Sequence, residues 1–130
     1  MQAPDVIGVS ERTGRAVEDV TRAFHRLAAE LDIVWLLSAL EDLPQPTRTQ
    51  RWAVQAVRED CLDALADLAT CALERAPDSV AAPDAVDAYL EEHAALTRRL
   101  HAVTASLSIE GTGDLPALML AVRALRALAG

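Results

Sequence analysis

Three histidines, two cysteines, five serines and twenty carboxylates are the groups of this 130-residue chain able to act on a substrate or hold a metal. A carboxylate-bridged metal pair in a helical bundle needs Glu-x-x-His on facing helices, which sets two ligands one turn apart on the same face. His25, His93 and His101 have Arg22, Leu90 and Arg98 at the required position, so the pattern is missing at all three. No His-Glu-x-x-His offers a zinc site, and no Cys-x-x-Cys offers zinc binding or redox exchange. Gly111-x-Gly113-x-x-Pro116 begins like a dinucleotide-binding loop. Its third glycine is a proline, no strand pattern precedes it, and Asp114 would meet a pyrophosphate with like charge. All twelve basic residues are arginine, which removes Schiff-base chemistry and the lysine of a phosphate-binding loop. No serine stands in a glycine elbow that would expose a nucleophile. The residues therefore assign no catalytic, cofactor-binding or metal-ligating position. His93 falls on an apolar stripe and reads as a partly buried neutral side chain; His25 and His101 read as boundary residues.

What would have to position any site is helical. Ala (26 residues) and Leu (19) make up over a third of the chain, and aromatic residues only 3%. Ala, Leu and Arg lose little side-chain freedom in a helix, whereas sheets draw on β-branched and aromatic residues. Apolar spacing is helical nearly throughout. A short helix from Ala3 to Thr13 ends at Gly14, the residue suited to a left-handed cap. Val17, Val20, Phe24, Leu27 and Leu31 stripe a second helix, with Glu18 and Asp19 in its first turn, where the helix dipole favours them. Asp32 marks a break or N-cap before an apolar helix that holds Trp35 and ends near Asp42; Pro44 and Pro46 then forbid continuation. Thr47-Arg48-Thr49-Gln50 has the pattern of a capping box and opens the longest helix, to about Ala76, with Val54, Val57, Cys61, Leu65, Leu68 and Ala72 inward. Another long helix is expected from about Pro83 to Ser108, broken by Gly111-Thr112-Gly113; Asp114 then caps a last helix striped by Leu115, Leu118, Val122 and Leu125. The expectation is an all-α fold, a bundle of about five to six amphipathic helices in one domain spanning residues 1–130. Leu65→Asp and Leu96→Asp are expected among the most damaging changes, because each buries an unpaired carboxylate.

The net charge of −8 argues against broad nucleic-acid or anionic-membrane binding, which needs a basic footprint. No apolar run approaches the ~18 residues of a membrane span, and the start of the chain has no signal-peptide pattern. Cys61 and Cys71, ten residues apart on one helix, lie roughly 15 Å from each other, too far for a disulfide. A reduced, cytoplasmic setting follows as the economical expectation, with both thiols as small core residues. Arg98-Arg99 and Arg123-x-x-Arg126 read as solvated or ion-paired spots on acidic ground. Trp35 is expected in the core, and Trp52 either there or on a docking surface.

One stretch resembles a known family. Ala23-Phe24-His25-Arg26-Leu27-Ala28-Ala29-Glu30-Leu31-Asp32-Ile33-Val34-Trp35-Leu36 is similar to the C-terminal helical region of the very large bacterial NAD-specific glutamate dehydrogenases. There an aromatic-containing helix leads into a Leu-Asp-Leu-x-Trp-Leu-like run, matched here by residues 31–36. Thr13-Gly14 with Val17-Glu18-Asp19-Val20, then Leu43-Pro44, Val57-Arg58-Glu59-Asp60 and the Asp114–Leu125 helix follow in the same order. Phe24 and His25 replace a Tyr-Phe-like pair, Ala28 stands where glycine is common, and Trp52 sits closer to the acidic pair than in the family's pattern.

The resemblance implies a parent enzyme that oxidatively deaminates glutamate to 2-oxoglutarate and ammonia with NAD. In that family the cofactor fold and catalytic lysines lie N-terminal to this region, so no catalytic or cofactor residue carries over to this chain. It implies a non-catalytic C-terminal helical domain with a structural, docking or regulatory role, packed on the catalytic domain of the same polypeptide or between subunits of a homo-oligomer. Two other readings stand beside it: a stand-alone helical interaction protein, in the form of a homodimer, and a small-ligand bundle with a pocket near Trp35 or Trp52.

Overall fold

The computed structural model describes residues 5–110 and 114–130, with side chains given outside 108–110. Among these residues the chain forms helices α1 (Val6–Thr13), α2 (Val17–Glu30), α3 (Ile33–Asp42), α4 (Arg48–Arg75), α5 (Ala82–Glu92), α6 (Ala94–Glu110) and α7 (Leu115–Leu128), with no strand. The all-α bundle is as expected. The number of helices is not: seven replace the five to six expected, because the long helix placed from Pro83 to Ser108 is two helices that part at His93. The expected first turn at Ala3 and the Gly111–Gly113 break lie outside the described residues.

The break at His93 has a physical cause that spacing does not carry. α5 packs on α2 and α4, whereas α6 packs chiefly on α7, and one straight rod cannot serve both sets of neighbours. His93 leaves helical geometry at φ −110°, ψ 36°. The hydroxyl of Thr97 donates to the Leu90 carbonyl at 3.4 Å, so that carbonyl is not left bare at the bend, and to the His93 carbonyl at 3.0 Å, which also accepts from the Thr97 N–H. Neither glycine nor proline is needed, and tertiary packing overrides local propensity.

Local chemistry sets the other helix ends where the sequence suggests. Thr47 and Gln50 form the capping box: the Gln50 N–H donates to Thr47 Oγ1 at 3.1 Å, and the Thr47 N–H donates to Gln50 Oε1 at 3.1 Å. Asp114 caps α7 by accepting from the Ala117 N–H at 3.1 Å. Gly14 closes α1 at φ 73°, its N–H donating to the Ser10 carbonyl at 2.9 Å. A Cβ at Gly14 would meet nothing within 4 Å, so only the backbone conformation resists substitution. Gly14→Ala should therefore destabilise the chain by about 1 kcal/mol, measured by urea unfolding; an unchanged midpoint would mean that the turn relaxes at no cost. Asp32 adopts the same left-handed region, at φ 57°, and makes no capping bond of its own. Its carboxylate instead accepts from Thr104 Oγ1 on α6 at 3.0 Å.

The core is aliphatic. α4, 28 residues long, runs through the middle and touches α1, α2, α3, α5 and α7. Cys61, Leu65, Leu68 and Ala72 are buried on the expected stripe. Leu62, Ala66, Ala69 and Leu73 are buried as well, because neighbours lie on more than one side of this helix. Val20, Phe24, Leu27 and Leu31 of the α2 stripe are buried, but Val17 is 45% exposed. Leu96 is only half-buried, at the outer edge of α6, so it does not belong with Leu65 among the most sensitive positions. Trp35 is half-buried against the core, whereas Trp52 is 67% exposed, with the Arg48 guanidinium 5.9 Å from its ring centre.

Candidate functional site

Two of the three histidines are spent on holding the bundle together. His93 Nδ1–H donates to the Tyr89 carbonyl at 2.9 Å, and its ring stacks on that of Tyr89 with centroids 4.3 Å apart. His101 Nε2–H donates to the Glu30 carbonyl at 2.6 Å, tying α6 to the end of α2. His25 is exposed on α2. The structure does not bring the three histidines into one cluster, and among the described residues no group of three or more His, Cys, Asp or Glu side chains is placed to hold a metal ion.

Tyr89 is the centre of a second junction. Its hydroxyl donates to the Leu128 carbonyl, pinning the end of α7 to α5. The Arg75 guanidinium lies 5.2 Å from the centre of its ring and pairs with Glu92 at 3.2 Å. Burial raises the Tyr89 phenol above its ordinary pKa, which suits a hydroxyl that serves as a donor.

Arg15 is the functional-looking side chain that periodicity did not reveal. It is 6% exposed, directly after the Gly14 cap. Its guanidinium donates to Asp19 Oδ2 at 2.9 Å, to the Val80 carbonyl at 2.7 Å and to the Pro77 carbonyl at 3.0 Å. A planar fork thus joins the α1–α2 turn to the α4–α5 connection. Periodicity does not mark it, because its two carbonyl partners lie more than 60 residues away.

The two cysteines share α4 and are both free. Burial, with the neighbouring Asp60 carboxylate, pushes the Cys61 thiol up to about 12. Cys71 is less enclosed, its thiol donating to the Ala129 carbonyl at 3.5 Å. A disulfide reagent at pH 8 should therefore modify Cys71 first and reach Cys61 only on unfolding. Equal rates at the two thiols in the native chain would show that α4 opens readily.

Ion pairs stitch the surface. Arg26 grips Asp87 through two bonds of 2.9 and 2.7 Å, and these hold the Asp87 carboxyl below the usual carboxylate range. A folded value below the unfolded one means that the pair stabilises at neutral pH, and that this contribution is lost as the pH falls through the depressed value. The pair is exposed, so its share is small.

Surface grooves open between helices among the described residues. One of about 390 Å³ lies between α4 and α7, lined by Val57, Glu59, Asp60, Asp63, Met119 and Arg123. One of about 410 Å³ lies between α6 and α7, lined by Leu96, Arg99, Val103, Leu120, Arg123 and Ala124. A third, about 510 Å³, is formed by Leu43, Pro44 and Val54 with Leu115 and Pro116, and a fourth, about 280 Å³, adjoins Tyr89 and Arg75. Neither tryptophan lines any of the four, so the pocket expected near Trp35 or Trp52 is not among them. Large apolar side chains remain exposed on several helices: Ile7, Val17, Val34, Trp52, Met119 and Leu120.

No helix among the described residues is long and apolar enough to cross a membrane. No solved structure matches this chain. The NAD-specific glutamate dehydrogenase of Pseudomonas aeruginosa is 29% identical over 125 residues, which are 95% of this chain but 8% of that enzyme. The family described as glutamate dehydrogenase, C-terminal, matches residues 1–127. The chain belongs to the C-terminal family of the glutamate dehydrogenases.

Proposed function

We propose that this chain is a non-catalytic helical module of an NAD-dependent glutamate dehydrogenase, one that supports the catalytic domain of the same polypeptide by docking and does no chemistry itself. The observation that carries the proposal is the family match, which runs over almost the whole chain. The reaction, oxidative deamination of glutamate to 2-oxoglutarate and ammonia, then belongs to the parent polypeptide in a cytoplasmic homo-oligomer engaged in amino-acid catabolism. NAD binds elsewhere in that parent. The enzyme relative is more than ten times longer than the stretch this chain matches, which leaves room for a separate catalytic core. The exposed Ile7, Val34 and Trp52 support a docking role, because large apolar side chains left facing solvent are available to another surface.

Two measurements test this. The purified chain, mixed with glutamate and NAD, should produce no reduced nicotinamide; a glutamate-dependent rise in proportion to added chain would overturn the non-catalytic reading. An antibody raised against the chain should detect a band many times heavier than 13.9 kDa in lysate of the source cells. A band at 13.9 kDa alone would make the family a statement of ancestry and leave a stand-alone interaction protein.

A further inference from the structure

α7 is flanked by α4 on one side and α6 on the other, and the grooves along its two sides carry opposite charge. The α6 side is lined by Leu96, Val103 and Leu120, with Arg99 and Arg123 as its only charged residues. The α4 side is lined by Val57 and Met119 with Glu59, Asp60 and Asp63, three carboxylates against the single charge of Arg123, which borders both grooves. Among the described residues Arg99, Arg123 and Asp63 form no ion pair, while Asp60 is already taken by Arg126.

Both charges also lie beside the same part of α7, for each lines a groove with Arg123. Arg99 lines its groove together with Arg123 and Ala127 of α7. Asp63 lines the other groove with Arg123, and its helix runs alongside α7 so that Asp60 and Asp67 both reach Arg126. A twofold axis parallel to α7 preserves height and exchanges sides. It lays the basic α6 edge of each copy over the acidic α4 edge of the other and sets Leu120 and Met119 in the seam. An axis across α7 would place like charge on like.

We infer that the face formed by α4, α6 and α7 is an isologous interface, and that its occupant is a second copy of this chain, with Arg99 of each copy facing Asp63 of the other. This goes beyond the docking role proposed above and does not depend on it, because the isolated chain suffices to test it. Arg99 of each copy then meets an acidic groove edge that its own copy holds on the other side of α7. Such reciprocal pairing is what a twofold contact requires: a patch complementary to itself.

Sedimentation equilibrium of the wild-type chain at about 100 µM should show dimer, loosening as salt screens the charges. Arg99→Glu alone and Asp63→Arg alone should each weaken association by about tenfold or more, since each sets two like-charge contacts in its own homodimer. An equimolar mixture of the two variants should dimerise about as well as wild type, because both contacts in the mixed pair are then of opposite sign. Both positions are exposed, and unchanged helical circular dichroism would show that the variants fold. Wild type that stays monomeric overturns the inference and would turn this face over to another part of a parent polypeptide. A mixture no tighter than its components would overturn the stated register.

Discussion

Leu65→Asp should leave the chain unfolded at room temperature, whereas Leu96→Asp should cost no more than about 1 kcal/mol. Leu65 is 3% exposed in the middle of α4, the helix touched by five others. Removing a buried leucine side chain costs about 2–5 kcal/mol before anything is put in its place. The carboxylate that replaces it must either shed its water or take up a proton, which adds several kcal/mol because Leu65 belongs to the buried apolar cluster. The sum is comparable with the ~5–15 kcal/mol by which a domain is stable at all. Leu96, by contrast, lies at the edge of the α6–α7 groove beside Arg99 and Arg123. A carboxylate there keeps its water and gains two positive neighbours. Urea unfolding followed by circular dichroism checks both, in dilute protein so that association does not contribute. A folded, cooperative Leu65→Asp would show that the core around α4 admits water. A Leu96→Asp variant as damaged as Leu65→Asp would show that the groove is closed.

The contrast between these two leucines also shows how far the sequence could be read. Both fall on apolar stripes of helical period, and periodicity ranks them equally. What separates them is the number of helices that come to lie against each stripe, and that number is set by the whole chain. Ends governed by a few adjacent side chains were legible: the Thr47–Gln50 box, the Gly14 cap and the Asp114 cap are where their chemistry puts them. The bend at His93 was not, because nothing near it is a helix breaker and the demand for it comes from α2, α4 and α7. In the same way, Val17 completes a faultless stripe and still faces solvent, one turn before α2 meets its neighbours. As for the site, the sequence offers no motif that assigns a catalytic residue, and it does not show which surface is left uncovered. Leu120 and Arg99 are unremarkable letters until α6 and α7 are set side by side. Family resemblance, spread thinly over the whole chain, carried the functional reading that no single motif carried.

Arg15→Met should destabilise the chain by about 2–4 kcal/mol, a large effect for a residue that no periodic pattern singles out. Methionine fills much of the same volume, so the loss is one of polar partners and not of packing. Asp19 would keep only Arg22, at 3.9 Å and exposed, as a compensating charge. The Val80 carbonyl would lose a 2.7 Å bond, while the Pro77 carbonyl would still accept from the Val80 N–H at 2.9 Å. Asp19 is 26% exposed in its side chain, which softens the penalty from the ~3–5 kcal/mol of a fully enclosed pair. Arg15→Lys should fall between, since an ammonium keeps the charge but cannot present a planar fork to three acceptors. Asp19→Asn should cost less than Arg15→Met, because the arginine would keep both loop carbonyls. That ordering separates two accounts of the residue. If Arg15 works through its ion pair, the two single variants should be equally damaging and the double variant no worse than either. If it works as a clamp between the α1–α2 turn and the 77–80 connection, Arg15→Met should exceed Asp19→Asn by about 1 kcal/mol or more, and amide exchange at residues 78–80 should quicken in Arg15→Met alone. The clamp is expected. Three hydrogen bonds radiate from one guanidinium, and two of them end on backbone more than 60 residues away, so their loss unties two segments that nothing else near Arg15 joins by hydrogen bonds.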